Sequence, residues 1–150
     1  MKRNTRGFTL VEILIVVIIL GILAAIVIPQ FTNASNDARN NSVASTLQSV
    51  RSQVELFKIQ HGDNAPVPAG MWTIMLGKST TTELGAAAAT GTNFGPYLQQ
   101  APVNPANGSS VVAAAAAANV GWVYTTGGAT NPGQYTISAV NTTSSGTLTY

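Results

Sequence analysis

The amino-acid sequence predicts an α+β fold in which one long N-terminal α-helix packs against a small antiparallel β-sheet. Two observations support this prediction. An apolar run from Ile13 to Ile28 is followed by apolar residues at helical spacing, and segments rich in strand-forming residues come only late in the chain. A helical part followed by a strand-rich part is typical of α+β proteins. The 150 residues are enough for one domain with a modest core.

The first predicted element is a helix long enough to cross a membrane. Residues 8–28 are 21 in number and polar only at Thr9 and Glu12. At about 1.5 Å per residue such a helix spans roughly 30 Å, the hydrocarbon thickness of a bilayer. Three cations precede the run, which predicts a cytoplasmic amino terminus with residues 30–150 on the other side.

Three simpler interpretations of this run explain less. A secretory signal peptide has an apolar core of only about 7–15 residues, and Thr32-Asn33-Ala34 is a poor cleavage site. A plain membrane anchor leaves Glu12 unexplained, because a charge at mid-bilayer costs about 2–3 kcal/mol. A buried core helix in so small a domain would need a polar face.

A processing motif lies where the polar leader meets the apolar run. The leader ends in the sequence Gly7-Phe8-Thr9-Leu10-Val11-Glu12. This arrangement resembles the signal of type IV prepilins and type II secretion pseudopilins. The resemblance implies cleavage by a prepilin peptidase between Gly7 and Phe8, methylation of the new amine on Phe8, and a role for Glu12 in filament assembly. It also implies breaks in the helix at Gly21 and Pro29, where proline removes a backbone donor.

Electrostatics suggests that the Glu12 carboxylate pairs with an amine. After cleavage, Phe8 would carry a free amine close to the membrane core, and an unpaired charge in an apolar packing core is strongly unfavourable. Pairing of Glu12 with that amine, in its own chain or in a neighbouring subunit, would therefore set the register in which subunits dock. An acid in the first turn also complements the helix dipole.

The rest of the helix is predicted to be the spine of a globular head. Val43, Leu47, Val50, Val54 and Phe57 form one apolar stripe, and Gly62-Asp63-Asn64 ends the helix. The predicted organisation is a leader at 1–7, a transmembrane and filament-core helix at 8–29, the amphipathic half of the same helix at 30–62, and an α+β head at 63–150.

Within the head we predict one short helix and a few strands. The helix covers residues 71–76, and residues 95–105 look like the capping loop of major pseudopilins. Strands are predicted at 121–125 and 134–140 with a turn at 127–133, and shorter ones at 111–112 and 148–150. The alanine run at 113–118 fits either a helix or a strand.

No catalytic constellation is visible, so an enzyme is not expected. The chain has no cysteine and one histidine, His61, for which a solvated position at the helix end is the expected one. Without residues 1–7, four Lys/Arg face five acids, which leaves no basic patch for nucleic acid. The resemblance suggests calcium, but no acid follows Glu83 and calcium prefers carboxylates, so neither a metal nor another cofactor is expected.

The resemblance therefore implies a filament-forming pseudopilin of a type II secretion system that helps export folded proteins. Its implied partners are further copies of itself, the prepilin peptidase, an inner-membrane assembly platform, minor pseudopilins and the lipid bilayer. The expected location is the bacterial inner membrane with the head in the periplasm. The alternative is a type IV pilus subunit, major or minor, for adhesion, motility or DNA uptake. A membrane-anchored binding domain that never polymerises also stays open.

Overall fold

A computed structural model of the chain describes residues 7–85 and 93–140 and the backbone of Thr147–Leu148. The elements are α1 (Leu10–Gln60), α2 (Met71–Leu76), β1 (Val112–Ala113), β2 (Trp122–Gly127), β3 (Asn131–Val140) and β4 (Thr147–Leu148). The chain divides into two compact units, residues 1–38 and 39–150. The order of helices and strands confirms the α+β class. The alanine run at 86–89 and the end of the predicted last strand lie outside the described residues.

The predicted apolar stripe of α1 is the helical side of the core in the second unit. Its five residues are at most 1% exposed: Val43, Leu47, Val50, Val54 and Phe57. On other faces of the helix, the hydroxyls of Thr46, Ser49 and Ser52 each donate to the carbonyl four residues earlier. The stripe thus packs inside the head, as its spacing predicts.

α1 ends with a C-terminal capping motif at the predicted position. Gly62 has a φ of 63°, and the N–H of Asp63 donates to the Lys58 carbonyl over 2.9 Å. This bond from the second residue after the cap is that of a Schellman motif, which needs a left-handed residue before it. Lys58 also lies 3.5 Å from the Asp63 carboxylate, so backbone and side chain both fix the end of the helix.

The sheet has the strand order β1-β2-β3-β4 and is mixed rather than antiparallel. β2 and β3 pair antiparallel, as do β3 and β4. β1, however, runs parallel to β2 with Val112 opposite Trp122, so the prediction of a purely antiparallel sheet is wrong for this pair. Because β1 and β2 run in the same direction, the connection 114–121 brings the chain back to the end at which β1 starts. Two antiparallel strands would need only a tight turn between them.

β3 is also longer than its composition predicts. It begins at Asn131 and includes Pro132 and Gly133, residues whose composition predicts a turn. The register shifts between Thr126 and Gly127, and such an irregularity is one of the places where a strand tolerates proline.

The core lies between α1, α2 and the sheet of the second unit. From α2 it takes Met71, Ile74 and Met75, and from the strands Trp122, Tyr124, Ile137 and Ala139. The polar ends of the buried aromatic residues have partners: the Tyr124 hydroxyl donates to the Pro66 carbonyl (2.8 Å), and the Trp122 indole N–H donates to the Pro102 carbonyl (2.8 Å). Burial also raises the pKa of the Tyr124 phenol far above its usual value of 10.0.

Residues 95–105 lie between α2 and the sheet in the chain and are hydrogen-bonded to both. The N–H groups of Tyr97 and Leu98 both donate to the Met75 carbonyl at the end of α2. Asn104 is fully buried. Its Nδ2 donates to the carbonyls of Gly121 (2.7 Å) and Val140 (2.9 Å). One asparagine thereby holds this segment against the start of β2 and the end of β3.

Candidate functional site

The first turn of α1 contains a reciprocal hydrogen-bonded pair, Thr9 and Glu12. The Thr9 backbone N–H and its hydroxyl each donate to Glu12 Oε2 over 2.8 Å. The Glu12 N–H in turn donates to Thr9 Oγ1 over 3.3 Å. Since α1 begins at Leu10, Thr9 is the N-cap residue and Glu12 the third residue of the helix. This is a capping box, which satisfies two otherwise unpaired donors at the helix start.

Sequence reasoning identified Glu12 but missed Thr9. The signal was present, because a threonine followed three residues later by a glutamate, ahead of an apolar run, is the sequence pattern of a capping box. The resemblance to prepilin signals drew attention to the charge of Glu12 rather than to its local partner. The structure brings Thr9 and Glu12 together and leaves Gly7 and Phe8 outside the helix.

The cap leaves part of the Glu12 carboxylate available. Both bonds from Thr9 go to Oε2, and no hydrogen bond to Oε1 occurs among the described residues. An ionised carboxylate has about four acceptor positions on its two oxygens. The same side chain can therefore cap its own helix and still accept a charged donor, such as an amine, at Oε1.

The apolar run that follows is not covered by any described residue of its own unit. Its large side chains from Ile13 to Ile28 are 41–64% exposed. α1 is long and apolar enough to cross a membrane, and none of its most apolar 18-residue window is buried. An apolar surface of this size needs lipid or other chains to cover it.

α1 is helical through both predicted break points. Gly21 and Pro29 lie inside the assigned helix, so this structure has no break at either residue. Proline has no N–H to give to the carbonyl four residues earlier, here that of Ala25. Nearby, the Thr32 hydroxyl donates to the Ile28 carbonyl over 3.2 Å. A break at these residues in another state of the chain stays a prediction.

The expected position of His61 is wrong, because the side chain is 1% exposed. Its ring stacks on Phe57 with centroids 3.7 Å apart. Nδ1 lies 2.8 Å from the Phe57 carbonyl and Nε2 lies 3.0 Å from Ser79 Oγ. A carbonyl only accepts, so Nδ1 carries the proton and Nε2 accepts from the serine. Position 61 continues the apolar stripe by four residues after Phe57, and that spacing is the signal for its burial.

This histidine and serine form a structural pair. Ser79 is fully buried, so neither group can reach a substrate. Among the described residues no group of three or more His, Asp or Glu side chains could hold a metal ion.

Comparison with known proteins points to the same end of the chain. The family described as Prokaryotic N-terminal methylation motif matches residues 2–28. The chain is 32% identical over 104 residues to the type II secretion system core protein G of Pseudomonas aeruginosa, which covers 69% of this chain and 70% of that protein. It is 30% identical over 83 residues to the core protein G of Dickeya chrysanthemi, covering 55% of this chain and 54% of that protein.

A pilus protein is similar as well. The chain is 37% identical over 94 residues to the type IV major fimbrial protein FimA of Dichelobacter nodosus, covering 61% of this chain and 60% of that protein. No solved structure matches the chain.

Proposed function

Because the chain belongs to the family of the type II secretion system core protein G, we propose that it is a pseudopilin subunit that polymerises into a filament and helps export folded proteins. The exposed apolar helix that begins with a capped carboxylate carries this proposal. A helix of this kind can lie in a bilayer before assembly and then pack against the same helix of other copies. The relatives are filament proteins rather than enzymes, and the proposal gives the chain no catalytic role.

The proposed processing site is the bond between Gly7 and Phe8. Phe8 is 83% exposed and precedes α1, so a peptidase could reach the backbone there. Cleavage would remove the leader 1–7 and leave an amine on Phe8, which the same enzyme would methylate.

Glu12 is the proposed assembly residue. The amine of Phe8 in a neighbouring copy would bind at Oε1 while Thr9 holds Oε2. A buried carboxylate without a cation is strongly unfavourable in an apolar core. Copies would therefore dock in the register that forms this pair. Gly21 and Pro29 would be the points at which α1 breaks during assembly.

The proposed location follows from the apolar segment. Residues 8–29 would lie in the inner membrane before assembly, residues 30–62 would continue the helix, and the head 63–150 would lie in the periplasm. The proposed partners are further copies, a prepilin peptidase, an assembly platform and minor pseudopilins.

Two measurements test the proposal. Mass spectrometry of the amino-terminal peptide should find a chain that starts with N-methylated Phe8. Glu12→Gln should then lower filament yield strongly while cleavage and membrane insertion stay normal, since glutamine keeps the capping box but has no charge. A chain that keeps its leader, or a normal filament yield from Glu12→Gln, contradicts the proposal.

A type IV pilus subunit is the second candidate, and the similarity to the FimA protein favours it. Deletion of the gene separates the two. Loss of secreted proteins with surface fibres intact supports the secretion pseudopilin, whereas loss of surface fibres with secretion intact supports the pilus subunit.

A further inference from the structure

An Asn–Gly dipeptide lies in the segment that precedes β1. Asn107 is followed by Gly108, which is exposed and has a φ of 70°. In flexible chains an Asn–Gly pair deamidates readily, because glycine has no Cβ to shield its backbone nitrogen. That nitrogen attacks the asparagine Cγ and ammonia leaves, and water then opens the cyclic imide to aspartate or isoaspartate. Asn107 thus carries the chemistry for a covalent modification of the head.

The folded structure engages each group that takes part in this reaction. The Gly108 N–H, whose nitrogen would attack, donates to the Asn104 carbonyl over 2.8 Å. The Asn107 Nδ2, which would leave as ammonia, donates to the Val120 carbonyl over 2.8 Å. Asn107 Oδ1 accepts from the Ser109 N–H over 3.0 Å. Attack on Cγ requires the Gly108 nitrogen to lose its proton and the Asn107 amide to release its partners, so these bonds oppose it.

These bonds are part of a wider network in the same segment. Asn104, whose carbonyl accepts from Gly108, is fully buried and donates at the start of β2 and the end of β3. Its N–H donates to the Ser109 carbonyl over 2.9 Å. The Ser109 hydroxyl in turn donates to the Asn119 carbonyl over 2.7 Å. Release of the Gly108 nitrogen therefore needs a local opening of the head.

We propose that Asn107 is a conditional modification site, which is protected while the head is folded and deamidates when the head opens. The product would also hinder closure. An aspartate has no side-chain donor, so its carboxylate would face the Val120 carbonyl as a second acceptor where Nδ2 now donates. An isoaspartate adds one atom to the backbone and would displace Gly108 from the Asn104 carbonyl. Deamidation would thereby mark, irreversibly, a head that has once been open.

The Ser109 N–H supports the opposite effect when taken alone. A donor at Oδ1 stabilises the negative charge that develops on this oxygen during attack. Such assistance acts only on a nitrogen that is free to attack, however. The Gly108 nitrogen is bound to the Asn104 carbonyl, and that bond makes protection the expected outcome.

Peptide mapping by mass spectrometry of the full-length protein in detergent tests the protection. At mildly alkaline pH, Asn107 should deamidate at least about tenfold more slowly in the folded protein than in urea, a ratio equivalent to ~1.4 kcal/mol of opening free energy. Asn104→Ala keeps the Asn–Gly pair but removes the anchor, so it should raise the rate without urea. Ser45→Ala, on an exposed face of α1, is the control and should leave the rate unchanged. Equal rates with and without urea, a faster rate in the folded protein, or no effect of Asn104→Ala would overturn the protection.

A second measurement tests the consequence of the modification. Asn107→Asp should lower the Tm of the head by at least about 4 °C. Asn40→Asp makes the same change of charge at an exposed position of α1 and should leave Tm near the wild-type value. Wild-type protein that has deamidated in urea covers the case in which Asn107→Asp does not fold, and it should refold less completely than unmodified protein. A wild-type Tm for Asn107→Asp, or full refolding of the deamidated protein, would overturn the mark. None of these results depends on filament assembly, so they leave the proposed function intact.

Discussion

His61 and Ser79 give a quantitative test of how the head is held together. His61 is 1% exposed, stacks on Phe57 and accepts a hydrogen bond from Ser79. We consider three variants: His61→Ala, His61→Phe, and His61→Phe combined with Ser79→Ala. The first removes ring and hydrogen bonds, the second keeps an aromatic ring, and the third removes both polar partners.

The expected magnitudes follow from these contacts. Truncating a buried ring to alanine costs about 3–5 kcal/mol. His61→Phe should cost only about 1–3 kcal/mol, because it keeps the stack but removes the ring nitrogen that accepts from the buried Ser79 hydroxyl. The Phe57 carbonyl keeps its bond from the His61 N–H at 3.0 Å, so no second group is orphaned. Adding Ser79→Ala should then recover part of that loss, since it removes the buried donor that has lost its bond to His61.

Thermal unfolding of the full-length protein in detergent, followed by tryptophan fluorescence, measures these differences. Both tryptophans, Trp72 and Trp122, lie in the second unit, so the signal reports the head. His61→Ala should lower Tm by on the order of 10 °C or more, and Ser45→Ala on an exposed face should change it little. If the double variant is no more stable than His61→Phe alone, the buried hydrogen bond is not what couples the two residues.

Three further predictions concern the head. Burial raises the pKa of Tyr124 and of Tyr135, so the folded state keeps protons that the unfolded state loses above pH ~10; the contribution of these two groups to stability should be fully present below that pH and be lost above it, as a tyrosinate absorbance titration during unfolding would show. Asn104→Ala leaves the Gly121 and Val140 carbonyls without their side-chain donor and should cost about 2–4 kcal/mol in urea unfolding, whereas an unchanged midpoint would refute the anchoring role. Calcium or a chelator should shift Tm by less than about 1 °C, because no acid follows Glu83; a calcium-dependent rise in Tm would contradict this.

Regular patterns allowed most of the fold to be predicted from the sequence. The apolar stripe of α1 and the short helix at 71–76 are found where their spacing and composition place them. The parallel pairing of β1 was not predictable, because the path of the connection 114–121 depends on tertiary contacts. One of these contacts is at the Val111 carbonyl, which accepts hydrogen bonds from the backbone N–H groups of both Gly121 and Trp122. Strand composition carries no information on direction.

Buried polar side chains account for most of the remaining differences between the predicted and the observed structure. A histidine next to a glycine at a helix end has the composition of a solvated loop, yet His61 is buried because Ser79, distant in sequence, supplies a partner for Nε2. Asn104 was part of a predicted loop, but its role as an anchor depends on carbonyls from two strands. Burial of a polar side chain depends on such distant partners, which spacing along one segment cannot identify.

The two hydrogen-bonding roles of Glu12 can be separated by chemistry. Capping uses one oxygen as an acceptor for Thr9, and a glutamine side chain can supply that acceptor equally well. Neutralising an amine in an apolar core needs a negative charge, which glutamine lacks. Thr9→Ala has the opposite effect, because it keeps the charge but removes the threonine hydroxyl from the cap, at a cost of about 1 kcal/mol. If the charge sets the register of the subunits, Glu12→Gln must reduce assembly more than Thr9→Ala does; the reverse order would make Glu12 chiefly a helix cap.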